Sequence, residues 1–99
     1  MGVELSFHPE AVEEAAAARE WYAERSPRAA DAFVAELERG FAVLQEAPHR
    51  WPEDVTGTRR LLLRRFPFAL IYALRVDRVL VLAVAHLHRR PGYWRDRRE

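Results

Sequence analysis

Between Phe66 and His88 the chain reads FPFALIYALRVDRVLVLAVAHLH, two apolar runs split only by Val76-Asp77 with an Arg on either side. Runs this short, rich in branched and aromatic residues and joined by two polar-flanked residues, predict a β-hairpin, with strands over 66–75 and 78–88. Neither strand has a polar face. Phe68, Leu70, Tyr72 and Leu74 alternate with Ala69, Ile71 and Ala73, and Val79, Val81, Ala83 and Ala85 alternate with Leu80, Leu82 and Val84. Strands of this kind belong at the centre of a sheet that is covered on both sides. With 99 residues the chain is expected to form one domain over 1–99, and two helices can cover one face of a small sheet but hardly both. The second face then needs either a sheet that curls around its own core or a partner that covers it.

The remaining elements follow from their punctuation. Val3, Leu5 and Phe7 alternate as in a short strand, which we prefer to the loose myristoylation pattern made by Gly2 and Ser6. His8-Pro9-Glu10 starts a helix, with Pro at the first helical position and Glu10, Glu13 and Glu14 near the positive end of its dipole. His8 stands where Ser or Asp would cap better, and no function is attached to it. The helix is predicted to run to about Glu24, with Val12, Ala15, Ala18 and Tyr22 as its buried stripe and Ala11, Ala16 and Trp21 close beside it. Ser26-Pro27 ends it and caps a second helix to about Glu46, whose buried face is Ala30, Phe33, Val34, Leu37, Phe41 and Leu44. So short a break predicts an antiparallel helical hairpin. HRWPEDVTG (49–57) is a loop, and TRRLLLRR (58–65) is a further strand in which Arg59 and Arg60 can discourage edge-to-edge pairing. The expected fold is α+β: a short N-terminal strand, a two-helix antiparallel hairpin, and a three-stranded antiparallel sheet.

Charge divides the chain where the topology does. Residues 1–54 carry twelve acids and five Arg, and residues 55–99 carry eleven Arg and three acids, so balances of −7 and +8 lie behind a net charge of +1. The C-terminal half is the half expected to meet an anion. Its densest stretch is AHLHRRPGYWRDRRE (85–99), where five Arg mix with His86, His88, Tyr93 and Trp94. The absence of Cys excludes disulfides, thiolate nucleophiles and Cys-based zinc sites. No apolar run approaches the roughly 18 residues of a membrane helix, and MGVELSF has no secretory pattern, so a cytoplasmic protein with no membrane association is expected.

In this order the segments resemble the RelE/ParE family of bacterial toxins from type II toxin–antitoxin modules. The resemblance rests on FHPEAVEE (7–14), REWYAERSPRAADAF (19–33), the AP and WP pairs around 47–52, RRFPFALIY (64–72) and AVAHLHRRPGYWRDR (83–97). It implies a growth-arresting toxin that is held inactive by a cognate antitoxin in a hetero-oligomer, and an antitoxin would cover the second apolar face. RelE-like members cut mRNA on the ribosome, whereas ParE-like members poison DNA gyrase without known nuclease chemistry.

Ribosome-dependent mRNA cleavage is the expectation taken forward, with gyrase inhibition and a binding-only member as alternatives. Cleavage needs a base for the 2′-OH, cations on the phosphate and an acid for the leaving oxygen. His86 at the end of the last strand suits acid or base work near neutral pH. By kind and order of residue, Arg65, Arg89 and Tyr93 match the basic residues and the late Tyr of RelE-like nucleases, but their catalytic lysines have no counterpart in a chain without Lys. Arg60, Arg64, Arg90 and Arg95 are candidates for nucleic-acid or target binding.

Plainer roles stand beside these. His86 also reads as a strand-end residue with a satisfied hydrogen bond, and Trp94 equally as a ring packed back on the helices or as one that stacks on a base. Arg95, Arg97 and Arg98 read as a solvated tail. His86 and His88 form an i, i+2 pair without a nearby carboxylate, so no metal and no cofactor are expected.

Overall fold

The computed structural model describes residues 2–97. Its elements run β1 (Glu4–Phe7), α1 (Pro9–Arg25), α2 (Pro27–Glu46), β2 (Arg59–Leu62), β3 (Phe68–Leu74) and β4 (Arg78–His86). Both helices begin at their Pro. His8 does cap α1, its Nδ1 accepting from the Glu10 N–H at 3.1 Å. Ser26 serves twice: its N–H donates to the Tyr22 carbonyl at the end of α1, and its Oγ accepts from the Ala29 N–H at the start of α2.

The α+β class is as expected, and the sheet has one more strand than expected. Its order is β1-β4-β3-β2, with β1 parallel to β4 and the other pairs antiparallel. The hairpin at Val76-Asp77 closes with the Arg75 N–H on the Arg78 carbonyl at 2.8 Å. A bulge interrupts the β3–β4 ladder, since Ile71 faces Ala83 and Tyr72 faces Val81, which leaves Leu82 as the extra residue.

The strands are shorter than their apolar patterns. Beyond Leu62 the chain turns, because Pro67 can donate no hydrogen bond and the Arg64 and Arg65 N–H groups both go to the Glu36 carboxylate on α2. β4 stops at His86, whose Nδ1 accepts from the His88 N–H at 3.1 Å.

One face of the sheet packs on the helices through Leu61, Phe68, Leu70, Tyr72, Val79, Val81 and Val84 against Ala11, Ala18, Phe33, Leu37 and Leu44. The stripe on α1 is Ala11, Ala15, Ala18 and Tyr22, while Val12 is exposed and Trp21 keeps 52% of its surface. Val12 lies about 100° around the helix from Ala11, outside the stripe. The second face is neither curled nor left for a partner where it meets β3 and the end of β4. Tyr93 and Trp94, on the segment after β4, pack on Ala69, Ile71, Ala83 and Ala85. Trp94 therefore covers the sheet instead of returning to the helices. Gly92 allows this turn, since its φ of +79° is one that residues with a side chain rarely adopt.

Candidate functional site

The C-terminal segment is held by one carboxylate. Glu14 projects from the edge of the α1 stripe, where Oε1 accepts from the Val84 N–H at 3.0 Å and from Arg97 Nη1 at 3.0 Å. Oε2 accepts from Tyr93 Oη and Arg97 Nη2, both at 2.8 Å, and from Arg89 Nη1 at 3.4 Å. β1 pairs with β4 only as far as Val81, so the β4 edge beyond it needs other partners. Glu14 takes the Val84 N–H there and Arg97 takes the Leu82 carbonyl at 2.8 Å.

Arg97 is thus part of the core of this arrangement. Its side chain keeps 8% of its surface against 15% for Glu14, and it also reaches Glu10 at 3.5 Å. Burial pushes the Glu14 carboxyl up, but the hydrogen bonds from Arg97, Tyr93 and the Val84 N–H, with the Arg97 charge, outweigh it and hold it below the ordinary range. The Tyr93 phenol is pushed up to about 12 by burial and by its bond to the Glu14 carboxylate, against the opposing charges of Arg89 and Arg97. The Arg89 guanidinium lies 3.8 Å from the centre of the Tyr93 ring. Such a phenol is a hydrogen-bond donor at neutral pH and a poor proton carrier.

His86 faces a different space. Its ring meets Phe68 and His88 edge-on at 5.0 and 5.1 Å. With Glu14, Trp21, Tyr22, Phe68 and Arg89 it lines an open apolar groove of about 450 Å³ between α1 and the ends of β3 and β4. Aromatic walls with a few polar groups at the rim suit an apolar group, whether of a ligand or of a partner's side chain.

The family model of the ParE toxin of type II toxin–antitoxin systems, parDE, matches residues 5–91. The chain belongs to the ParE toxin family. The same architecture occurs in a solved structure of the chromosomal ParDE toxin–antitoxin system from P. aeruginosa, with a TM-score of 0.76 at 21% identity over 87% of this chain and 97% of that one. No curated protein matches the sequence.

Within this ParE-family fold the expected site residues separate. Arg89 and Tyr93 come together, and Arg89 and His86 share the groove. Arg65 turns toward α2, with Nε 3.8 Å from Glu36 and 70% of its side chain exposed. Arg60 and Arg95 line a cleft beside Trp94 and the 52–58 loop, Arg64 lines another beside α2, and Arg90 is exposed next to His8 and Asp96. Arg97, expected in a solvated tail, is the best-anchored Arg of the segment because Glu14 needs a buried counter-charge. Arg98 lies outside the described residues. Glu14, expected only to favour the start of the α1 dipole, is the anchor that sequence reasoning missed. Its signal was a carboxylate three residues after Ala11 and four before Ala18, on a stripe otherwise apolar.

Proposed function

We propose that this ParE-family chain is the toxin of a type II pair, neutralised by a cognate antitoxin, and that it arrests growth by acting on DNA gyrase without nuclease chemistry. The family match over residues 5–91 carries this reading. The occupation of the nuclease candidates supports it: Tyr93 is bonded to Glu14, Arg89 lies over Tyr93, Arg65 leans on Glu36 and no Lys is present. Target contact is assigned to the exposed shoulder from Leu87 to Arg90, which borders the apolar groove, with His86 outside the contact. Ribosome-associated mRNA cleavage is the second reading, favoured by His86 and Arg89 lining one groove.

The test is expression in a bacterium without antitoxin, following pulse-labelled protein synthesis and DNA integrity together, with purified toxin added to a gyrase supercoiling assay. Growth arrest with DNA breaks, early translation intact and supercoiling inhibited is expected, and His86→Ala should keep the activity. Rapid loss of translation with cleaved mRNA, abolished by His86→Ala, would replace the gyrase reading with the nuclease one. Unimpeded growth at full expression would reduce the chain to a binding-only member.

A further inference from the structure

Apart from the Glu14 cluster, with which it shares no residue, one small cleft is lined by three arginines from three segments. Arg39 comes from α2, Arg50 from the loop after it, and Arg64 from the turn after β2, with Trp51 in the wall and a volume of about 140 Å³. Among the described residues the Arg39 and Arg64 side chains have no ion-pair partner, and Arg50 has only the Trp51 ring, 5.2 Å away. Arg25, Arg59, Arg65, Arg78, Arg89 and Arg97 each meet a carboxylate, whereas these three line one cleft without meeting one among the described residues. Like charges brought together without an anion repel, and the arrangement is relieved when an anion binds.

The single carboxylate in the cleft wall cannot supply that anion. Glu36 is buried, its Oε1 is taken by the Arg64 and Arg65 N–H groups, and its Oε2 faces Arg65 Nε. With Glu36 already facing Arg65, the three cleft arginines keep a local excess of positive charge that suits a phosphoryl anion. Three arginines drawn from three segments can together serve a tetrahedral group with several oxygens, whereas a planar carboxylate is satisfied by one guanidinium. The space takes a phosphoryl group and leaves the rest of a ligand outside.

We propose that the Arg39, Arg50 and Arg64 cleft is a phosphoryl-binding site, distinct from the proposed target surface and independent of the gyrase reading. The phosphoryl group comes from a free phosphate, a nucleotide or the backbone of a single strand. Titration calorimetry at constant ionic strength separates these sources, with inorganic phosphate, thymidine 5′-monophosphate and a single-stranded oligothymidylate lacking terminal phosphate as the three titrants.

Saturable binding of at least one titrant is expected, weakened about tenfold or more by Arg39→Ala or Arg64→Ala, less by Arg39→Lys, and not by Arg28→Ala on the exposed start of α2. Phosphate and the monophosphate binding alone assigns a free-phosphate site, and the oligonucleotide binding assigns a backbone site. Far-UV circular dichroism establishes that each variant is folded, which is expected because Arg39 and Arg64 are exposed. No saturable heat with any titrant, or affinity equal in folded Arg39→Ala and Arg64→Ala, overturns the proposal. Toxicity does not enter the measurement, so a failure here leaves the proposed function standing, and the reverse.

Discussion

Two glutamates decide how the irregular parts of this chain are held, and both lie on helix stripes that are otherwise apolar. Glu36 follows Phe33 by three and precedes Gly40 by four, on the buried face of α2, and it fixes the turn between β2 and β3 through two N–H groups. Glu14 occupies the equivalent place on α1. That such carboxylates must find donors was readable from their spacing, but which donors was not, because Arg89, Tyr93 and Arg97 lie 75 to 83 residues away in sequence. Glu14→Gln keeps the shape and removes the charge that Arg97 needs, so it should cost about 2 kcal/mol in urea unfolding at pH 7. The native carboxyl is held below its ordinary value of 4.5. Its contribution is therefore fully present above that value and is lost as the pH falls through the depressed native one. Stability measured from pH 6 down to pH 2 should fall less steeply in Glu14→Gln than in the parent chain. Parallel acid limbs would mean that the carboxylate is not charged and paired in solution.

At the scale of elements, the helices were legible nearly to the residue and the strands were not. Pro9, Ser26 and Pro27 act through local rules, a fixed φ and a side chain within reach of the next free N–H, so their effect can be read without the rest of the molecule. Strand ends depend on what the neighbouring chain offers. Arg64 and Arg65 continue an alternating pattern, but their N–H groups find Glu36, and the strand ends at Leu62. β1 was seen as a strand, and its parallel seat beside β4 was missed because alternation gives no information about the partner. Ser26 is the local rule that matters most, ending α1 and starting α2 with one residue. Ser26→Ala removes the acceptor for the Ala29 N–H and leaves the Tyr22 carbonyl bonded to the backbone. A loss of about 1 kcal/mol is expected, with hydrogen exchange accelerated in the first turn of α2 and not in the last turn of α1. Equal acceleration on both sides would show that the hairpin opens as a unit.

Across the whole molecule the acidic half and the basic half are folded onto each other. The excess of Arg after residue 55, expected to meet an external anion, is spent partly on Glu10 and Glu14, and this draws the segment of Tyr93 and Trp94 across the second face of the sheet. The doubly apolar strands required a cover, and the chain carries part of it as Tyr93 and Trp94. Composition could not reveal this, because a basic aromatic tail reads equally well as a ligand surface until Glu14 gives it a place to dock. Trp94 separates the two roles. Its ring lies on Ala69, Ile71, Ala83 and Ala85, yet its Nε1 is buried without an acceptor among the described residues. A ring kept for covering the sheet contributes by area, and the unpaired N–H detracts from it. Trp94→Ala should then cost about 2–4 kcal/mol and increase binding of a hydrophobic dye, as small side chains on the sheet are uncovered. Trp94→Phe loses some area and also removes the unpaired donor, so its cost should stay within about 1 kcal/mol. Were Trp94→Phe as damaging as Trp94→Ala in the folded protein, the indole N–H would have a partner in solution. If instead both variants kept full stability, the second face would have to be covered by something other than this segment.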